Sequence, residues 1–251
     1  HLQNMEAAVV GALVTIVIPT KNRRELLARS VASCLGQTYA SIEVVIVDDG
    51  STDGTEAYLN SLTDPRIVCL RKPVSEGMAA ALNAGFARAG GEYFTWSSDD
   101  DYYAPEAVAK MVATLEADRT VDFVYAHYSM VDENGRVLRA ARVEEPEMLD
   151  RDNYVGHCFL YRRRVYETVG EYRASAFLVE DYDYWLRVRR QFRMKRLPET
   201  LYCHALHPDS LTLRYGADRV QGALARTRWP YISRWLHYFL AAERCYHAGR
   251  R

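Results

Sequence analysis

The sequence predicts an open α/β sheet, and three observations predict it. Four short apolar, β-branched runs alternate with three stretches of helical periodicity. The alternation opens with a strand, helix, strand unit, which implies parallel pairing. The runs end in polar clusters, and in such sheets ligands bind beyond the carboxyl ends of the strands.

Val14 to Ile18 (VTIVI) is closed by Pro19, and Glu43 to Val47 (EVVIV) is closed by Asp48-Asp49-Gly50; both read as buried strands. Between them, Arg23 to Gly36 sets Leu26, Leu27, Val31 and Leu35 at helical spacing, with Gly36 as the stop. Thr52 to Leu62 then reads as helix, Ile67 to Leu70 as strand, Gly77 to Ala89 as an Ala-rich helix and Tyr93 to Trp96 as the fourth strand. A further helix start lies at Pro105. Beyond residue 120 the pattern is less regular. Phe123 to Tyr128 and Val137 to Ala141 read as a hairpin about the turn Asp132-Glu133-Asn134-Gly135. Helices follow at Arg163 to Val169 and Asp181 to Gln191, with Arg162, Arg163 and Arg164 expected as a solvated helix start. Gly216 to Arg251 is helical in pattern.

The chain of 251 residues, 49% hydrophobic and 26% charged, has the composition of an ordinary globular protein. A formal net charge of -1 offers no global attraction to nucleic acid, and none is expected as a partner. Five scattered cysteines form no CxxC pair, which argues against a disulfide framework and points to a reducing compartment. No apolar run reaches the length of a membrane-spanning helix. Residues 1–13 are set aside as an N-terminal lead.

The strand ends carry the chemistry. The first ends in Pro19-Thr20-Lys21-Asn22, the second in Asp48-Asp49-Gly50-Ser51, and the fourth in Ser97-Ser98-Asp99-Asp100-Asp101. A GxGxxG turn, a Walker A loop and a GxSxG elbow are all missing, which sets aside dinucleotide binding, P-loop phosphoryl transfer and α/β-hydrolase chemistry. Three consecutive carboxylates repel one another unless a cation compensates them, and an oxygen donor set favours Mg2+ or Mn2+ over Zn2+; a solvated acidic turn capping the next helix is the other reading. Asp48 and Asp49 can cap a helix, or one of them can accept a nucleobase N–H. Glu180 and Asp181 can be the acidic first turn of a helix, or Asp181 a general base with its pKa raised by burial. Cys203, His204 and His207 suggest zinc but lack a fourth ligand. His157 and Tyr154 fit either acceptor contact or packing.

Taken together, VTIVIPTKN, QTYASIEVVIVDDGSTDGT, SEGMAAALNAGFARAGGEYFTWSSDDDYYAP and LVEDYDYWLR resemble the family-2 glycosyltransferases with the GT-A fold, in the family's order from Val14 to Leu213. The resemblance implies a GT-A domain over residues 14–213, with a nucleotide-binding half at 14–101 and an acceptor half at 102–213. The reaction it implies is a metal-dependent, inverting transfer from a nucleotide diphosphate sugar, a UDP-sugar by expectation, to a saccharide or lipid-linked saccharide in polysaccharide or glycoconjugate synthesis. Carried over by position, Pro19, Thr20 and Asn22 line the nucleoside pocket, Asp49 holds the uracil edge and Asp48 supports it. Asn83, Ser98 and Asp99 lie at the donor, while Asp100 and His207 hold Mn2+ or Mg2+. Asp181 is the catalytic base. Apart from the resemblance, Glu180, His157 and Trp185 are expected at the acceptor. Ser98 stands at the first position of the common D-x-D-D pattern, and Leu82 stands where many members carry Arg before Asn83. The Q-x-x-R-W motif of processive synthases is missing, which favours single addition. A silent nucleotide-binding or scaffold domain and a nucleotide-sugar hydrolase are the alternatives.

Residues 214–251 differ from the body. Eight Arg stand there against Asp218 and Glu243, a net +6, beside a cluster of aromatics. Contact with the inner face of a membrane, packing onto the catalytic domain and self-association are the three expectations for this extension, in a protein expected to be cytoplasmic.

Overall fold

The computed structural model describes residues 11–208, 210 and 214–231. Strands β1 (Val14–Thr20), β2 (Ile42–Asp48), β3 (Ile67–Arg71) and β4 (Tyr93–Trp96) pair in parallel in the order β3-β2-β1-β4. Helices α1 (Arg24–Leu35), α2 (Thr55–Ser61) and α3 (Met78–Arg88) connect them. Every residue of β1 is buried, because helices cover both faces of the sheet. The period-two alternation divides its side chains: Val14, Ile16 and Ile18 join Val44, Ile46 and Leu27 in one core. Val17 joins Val45, Val47, Leu82 and Phe86 in the other.

The second half adds β5 (Tyr102–Tyr103), α4 (Ala107–Ala117), β6 (Phe123–Val131), β7 (Val137–Ala141), β8 (Cys158–Arg162), α5 (Arg163–Val169), α6 (Glu180–Arg189), β9 (Met194–Ala205) and α7 (Ala217–Arg228). The sheet continues from β4 through β8, β6 and β9 to β5, with β7 paired to β6. The β6–β9 pair is parallel, whereas β4–β8, β6–β8, β6–β7 and β5–β9 are antiparallel, so a parallel first half meets a mixed second half. The β6–β7 pair is antiparallel because a tight hairpin, and not a crossover helix, joins the two strands.

The expected helix at Thr52 begins three residues later. Asn22 Oδ1 accepts the Thr52 N–H at 2.7 Å, and Asp53 Oδ1 accepts from Thr55 N and Oγ1 at 3.1 and 2.6 Å, making an Asx turn ahead of α2. The arginine run is not a solvated helix start. Arg162 donates to the carbonyls of Val121 and Leu115, and Arg163 to those of Gly91 and Ala89 at 2.7 and 2.9 Å, with its guanidinium over Phe94. Only Arg164 of the three is exposed, where it pairs with Asp122. The packed chain also begins ahead of Val14: Tyr39 donates to the Ala12 carbonyl at 2.7 Å and Glu92 N to that of Leu13 at 2.7 Å. Helix α7 buries Ala223 and Leu224 in the core to which α6 contributes Tyr184 and Trp185. The aromatic cluster beyond residue 231 lies outside the described residues. Among the described residues no helix is long and apolar enough to cross a membrane.

Candidate active site

A cavity of about 810 Å³ opens at the carboxyl edge of the parallel strands. Its wall takes Pro19, Thr20 and Asn22 from the end of β1, Asp49 from the end of β2, and Asp99 from the end of β4. Phe177, Leu178 and Glu180 close it from the start of α6, and Arg214 and Tyr215 from the segment before α7. Among the described residues two non-glycine residues have left-handed backbones, Asn22 (φ 54) and Leu178 (φ 76), and both line this one cavity. Strained backbone of this kind concentrates at functional sites, because it persists only where its surroundings impose it.

The two aspartates after β2 take separate tasks. Asp48 is fully buried beneath the turn; its Oδ1 accepts the Ser51 N–H at 2.8 Å, and its Oδ2 has no hydrogen-bond donor, with Arg71 Nε at 3.7 Å. Asp49 faces the cavity, where its Oδ2 accepts from Ser75 Oγ at 2.6 Å and Gly77 N at 2.9 Å, and its Oδ1 from Glu76 N at 3.0 Å. Burial works to raise the Asp49 carboxyl, but these hydrogen bonds and the nearby Lys72 charge outweigh it and hold it below the usual carboxylate range. The result is an ionised acceptor whose Oδ1 still has lone-pair capacity toward a ligand N–H.

The three consecutive carboxylates after β4 diverge. Asp99 accepts from Thr20 Oγ1 at 2.8 Å and from Arg23 Nη1 at 3.0 Å. Asp100 Oδ2 accepts from the same Arg23 Nη1 at 2.8 Å and lies 2.8 Å from His207 Nε2. Asp101 turns the other way, its Oδ1 accepting the Ala205 N–H at 2.9 Å and both its oxygens lying 3.1 Å from His204 Nδ1. Burial raises the Asp99 carboxyl to about 6, with Arg23 opposing and Asp100 reinforcing the rise. Burial raises Asp101 against the pull of His204. The His204 ring rises in turn because the Asp101 charge overcomes the effect of burial. Ser98 contributes its carbonyl, which accepts from Ser30 Oγ at 2.9 Å. Asp99 and Asp100 are each about 5% exposed, and the two share one guanidinium, so the pair is a place for positive charge. With the imidazole of His207 on Asp100, the donor set suits a divalent ion such as Mn2+.

Glu180 and Asp181 open α6, where the helix dipole favours acids. Burial pushes the Glu180 carboxyl up to about 7, with the neighbouring Asp181 charge adding to the rise. Asp181 is also raised by burial, against a hydrogen bond from Asn153 Nδ2 to its Oδ2 at 2.7 Å.

Of the expected site residues, Asp48, Ser98, Asp100, Asp181 and His207 are not among those that form the wall, and three more stand elsewhere. Asn83 donates from Nδ2 to the Tyr172 carbonyl and accepts the Tyr172 N–H at Oδ1, both at 2.9 Å, so its amide ties α3 to the chain ahead of α6. Ala81, two residues earlier, is the one that meets the cavity, and two residues are more than half a helical turn apart. Trp185 is fully buried, edge-on to Phe159 at 4.5 Å and Phe123 at 5.0 Å, and packs the core instead of facing an acceptor. His157 stacks on His204 at 4.1 Å, away from the cavity wall. Burial, reinforced by His204, holds the His157 ring well below the usual range. Asp101, His157 and His204 form a group whose ligating atoms lie within 4.8 Å of one another, with two nitrogens that suit softer ions than Mg2+.

Sequence reasoning missed Arg23 and Asn153. Arg23 reads as an ordinary helix start, and its role appears only when α1 is set beside the β4 end. Asn153 lies 28 residues from Asp181 in a stretch without periodicity.

The family model described as glycosyl transferase family 2 matches residues 15–170. An uncharacterized glycosyltransferase of Rickettsia prowazekii is 29% identical over 197 residues, covering 74% of this chain and 61% of its own length, so the chain spans about three fifths of that relative. Among solved structures, S. aureus TarS 1-349 in complex with UDP-GlcNAc superposes with a TM-score of 0.67 at 17% identity, over 86% of this chain and 66% of that one. The mannosyltransferase PcManGT of Pyrobaculum calidifontis, in complex with GDP-Man and Mn2+, gives 0.63 at 22% identity over 79% and 58%. Both share the fold.

Proposed function

The chain belongs to glycosyl transferase family 2, and from that premise we propose that it transfers a sugar from a UDP-sugar to a hydroxyl of a saccharide or lipid-linked saccharide, with inversion at the anomeric carbon. The observation that carries this reading is the shared placement of Asp49, Asp99, Glu180 and Arg23 around one cavity, with Arg23 and His207 both on Asp100, the neighbour of Asp99. TarS with UDP-GlcNAc and PcManGT with Mn2+ support it by likeness of fold.

Asp49 accepts the nucleobase N–H, and Asp48 holds the turn beneath it. Arg23 and Arg214 face the diphosphate with fixed positive charge. Asp100 and His207 would hold Mn2+ or Mg2+, which offsets charge on the departing diphosphate. Asp181 takes the proton of the acceptor hydroxyl while the acceptor oxygen bonds to the anomeric carbon and the bond from that carbon to the diphosphate oxygen breaks. Attack on the face opposite the leaving group inverts the centre. General-base help of this kind contributes roughly 10²- to 10⁴-fold, and partial burial of Asp181 keeps it basic enough to act.

Calorimetric titration of UDP, GDP and dTDP into wild type and Asp100→Ala, with and without Mn2+, tests the donor site. Mn2+-dependent UDP binding that is lost in the variant is the expected result, and no nucleotide binding under any condition refutes the reading. Release of free sugar as the sole product with every acceptor would mean hydrolysis, and full transfer by Asp181→Asn would remove the base.

A further inference from the structure

Of the large hydrophobic side chains exposed among the described residues, Phe177 alone lines the cavity; it is 48% exposed. It stands four residues before Asp181, and Glu180 shares its wall. The intervening Leu178 adopts φ 76, a left-handed conformation that a leucine rarely takes and that turns the chain between Phe177 and the acidic pair. Tyr215 meets Phe177 perpendicularly, with ring centroids 5.3 Å apart, and the Arg219 guanidinium covers the Tyr215 ring at 4.9 Å. Phe177 thus offers a half-exposed aromatic ring, in contact with Tyr215, on the same wall as Glu180.

We propose that Phe177, braced by Tyr215, is the platform on which the ring of the acceptor sugar lies, so that the acceptor is a pyranoside and not a lipid phosphate or a linear polyol. A pyranose presents C–H groups on a ring face and hydroxyls around its rim. An aromatic side chain takes the apolar face while carboxylates beside it take the rim. Lipid phosphates and linear polyols have no such ring face. The platform rests on the transferase reading, and the experiment separates the two.

Saturation-transfer NMR is recorded with methyl glycosides of glucose, galactose, N-acetylglucosamine and rhamnose, in the presence of UDP and Mn2+, on wild type, Phe177→Leu and Phe177→Tyr. Phe177→Leu keeps apolar bulk and removes the ring, and UDP binding in the same tube reports that the variant is folded. In wild type, at least one glycoside is expected to receive saturation on the C–H protons of one ring face. Its affinity should fall about fivefold to tenfold in Phe177→Leu, stay within about twofold in Phe177→Tyr, and leave UDP affinity unchanged. The platform is overturned if Phe177→Leu binds the glycoside as wild type does, if UDP weakens by the same factor, which would place the nucleobase there, or if UDP binds wild type and no glycoside does. Absence of UDP binding in wild type overturns the transferase reading itself, and the platform with it.

Discussion

Removal of the Asn153 amide tests the assignment of the base. Asn153 Nδ2 lies 2.7 Å from Asp181 Oδ2, and this hydrogen bond opposes the rise that burial imposes on the carboxyl. A hydrogen bond to a charged group is worth about 1.5–3 kcal/mol, and it favours the ionised form of Asp181. In Asn153→Ala that support is gone, so protonated Asp181 becomes relatively more stable. The sign follows: a general base must be ionised, so the acid limb of the kcat/KM profile moves to higher pH. At a fixed pH below that limb the rate falls by about tenfold or more, while the plateau at alkaline pH changes far less. The assay is transfer from the UDP-sugar over a range of pH, with thermal unfolding of the variant measured alongside. A variant that folds and keeps the wild-type acid limb would show that Asp181 is not the titrating base, or that Asn153 does not act on it.

Three further outcomes follow from the same geometry. Burial pushes Glu180 up to about 7, so its charge appears inside the cavity proposed for the diphosphate as pH rises through neutrality; UDP affinity should fall over that range by at most about tenfold per pH unit, and Glu180→Gln should flatten the dependence in calorimetric titrations. Arg23 occupies both Asp99 and Asp100, so Arg23→Gln should bind Mn2+ about tenfold more tightly in the absence of nucleotide, as followed by the free-Mn2+ EPR signal; weaker binding would contradict competition at that pair. A Cβ at Gly91 would lie 2.7 Å from Thr15 N and 2.8 Å from the Leu13 carbonyl, both backbone atoms of the β1 edge. Gly91→Ala should therefore cost about 2 kcal/mol in urea unfolding, and a change below about 0.5 kcal/mol would show that the edge yields.

The parallel half was legible because its signals are local. Apolar β-branched strands buried on both faces leave short continuous runs, and the helices between them keep a 3.6-residue period. β8 and β9 were not legible. Cys158–Arg162 runs into an arginine cluster that the sequence presents as solvent-facing, whereas the structure turns Arg162 and Arg163 inward onto carbonyls. Met194–Ala205 contains Pro198, which demotes a run as a strand; here the register against β6 shifts between Ala126 and Tyr128, and the strand continues past the proline. Trp185 reads as an acceptor candidate, yet it joins Phe159, Tyr161, Tyr172 and Tyr184 in an aromatic core, because aromatic packing is set across strands and leaves no period along the chain.

The candidate site divides in the same way. Which residue types stand at the strand ends was readable from spacing alone, since a turn directly after a buried strand falls at the sheet's carboxyl edge whatever the loops do. Spacing could not decide that Asp99 and Asp100 share Arg23 while Asp101 turns away to His204 and Ala205, or that Arg23 and His207 meet on Asp100. It also left open whether Asn83 faces the cavity or Tyr172. Sequence determines order, period and local turn chemistry, which are short-range properties of the chain. Carboxylates adjacent along the backbone are separated, and groups a hundred residues apart are joined, only when the sheet closes and burial makes each charge find a partner.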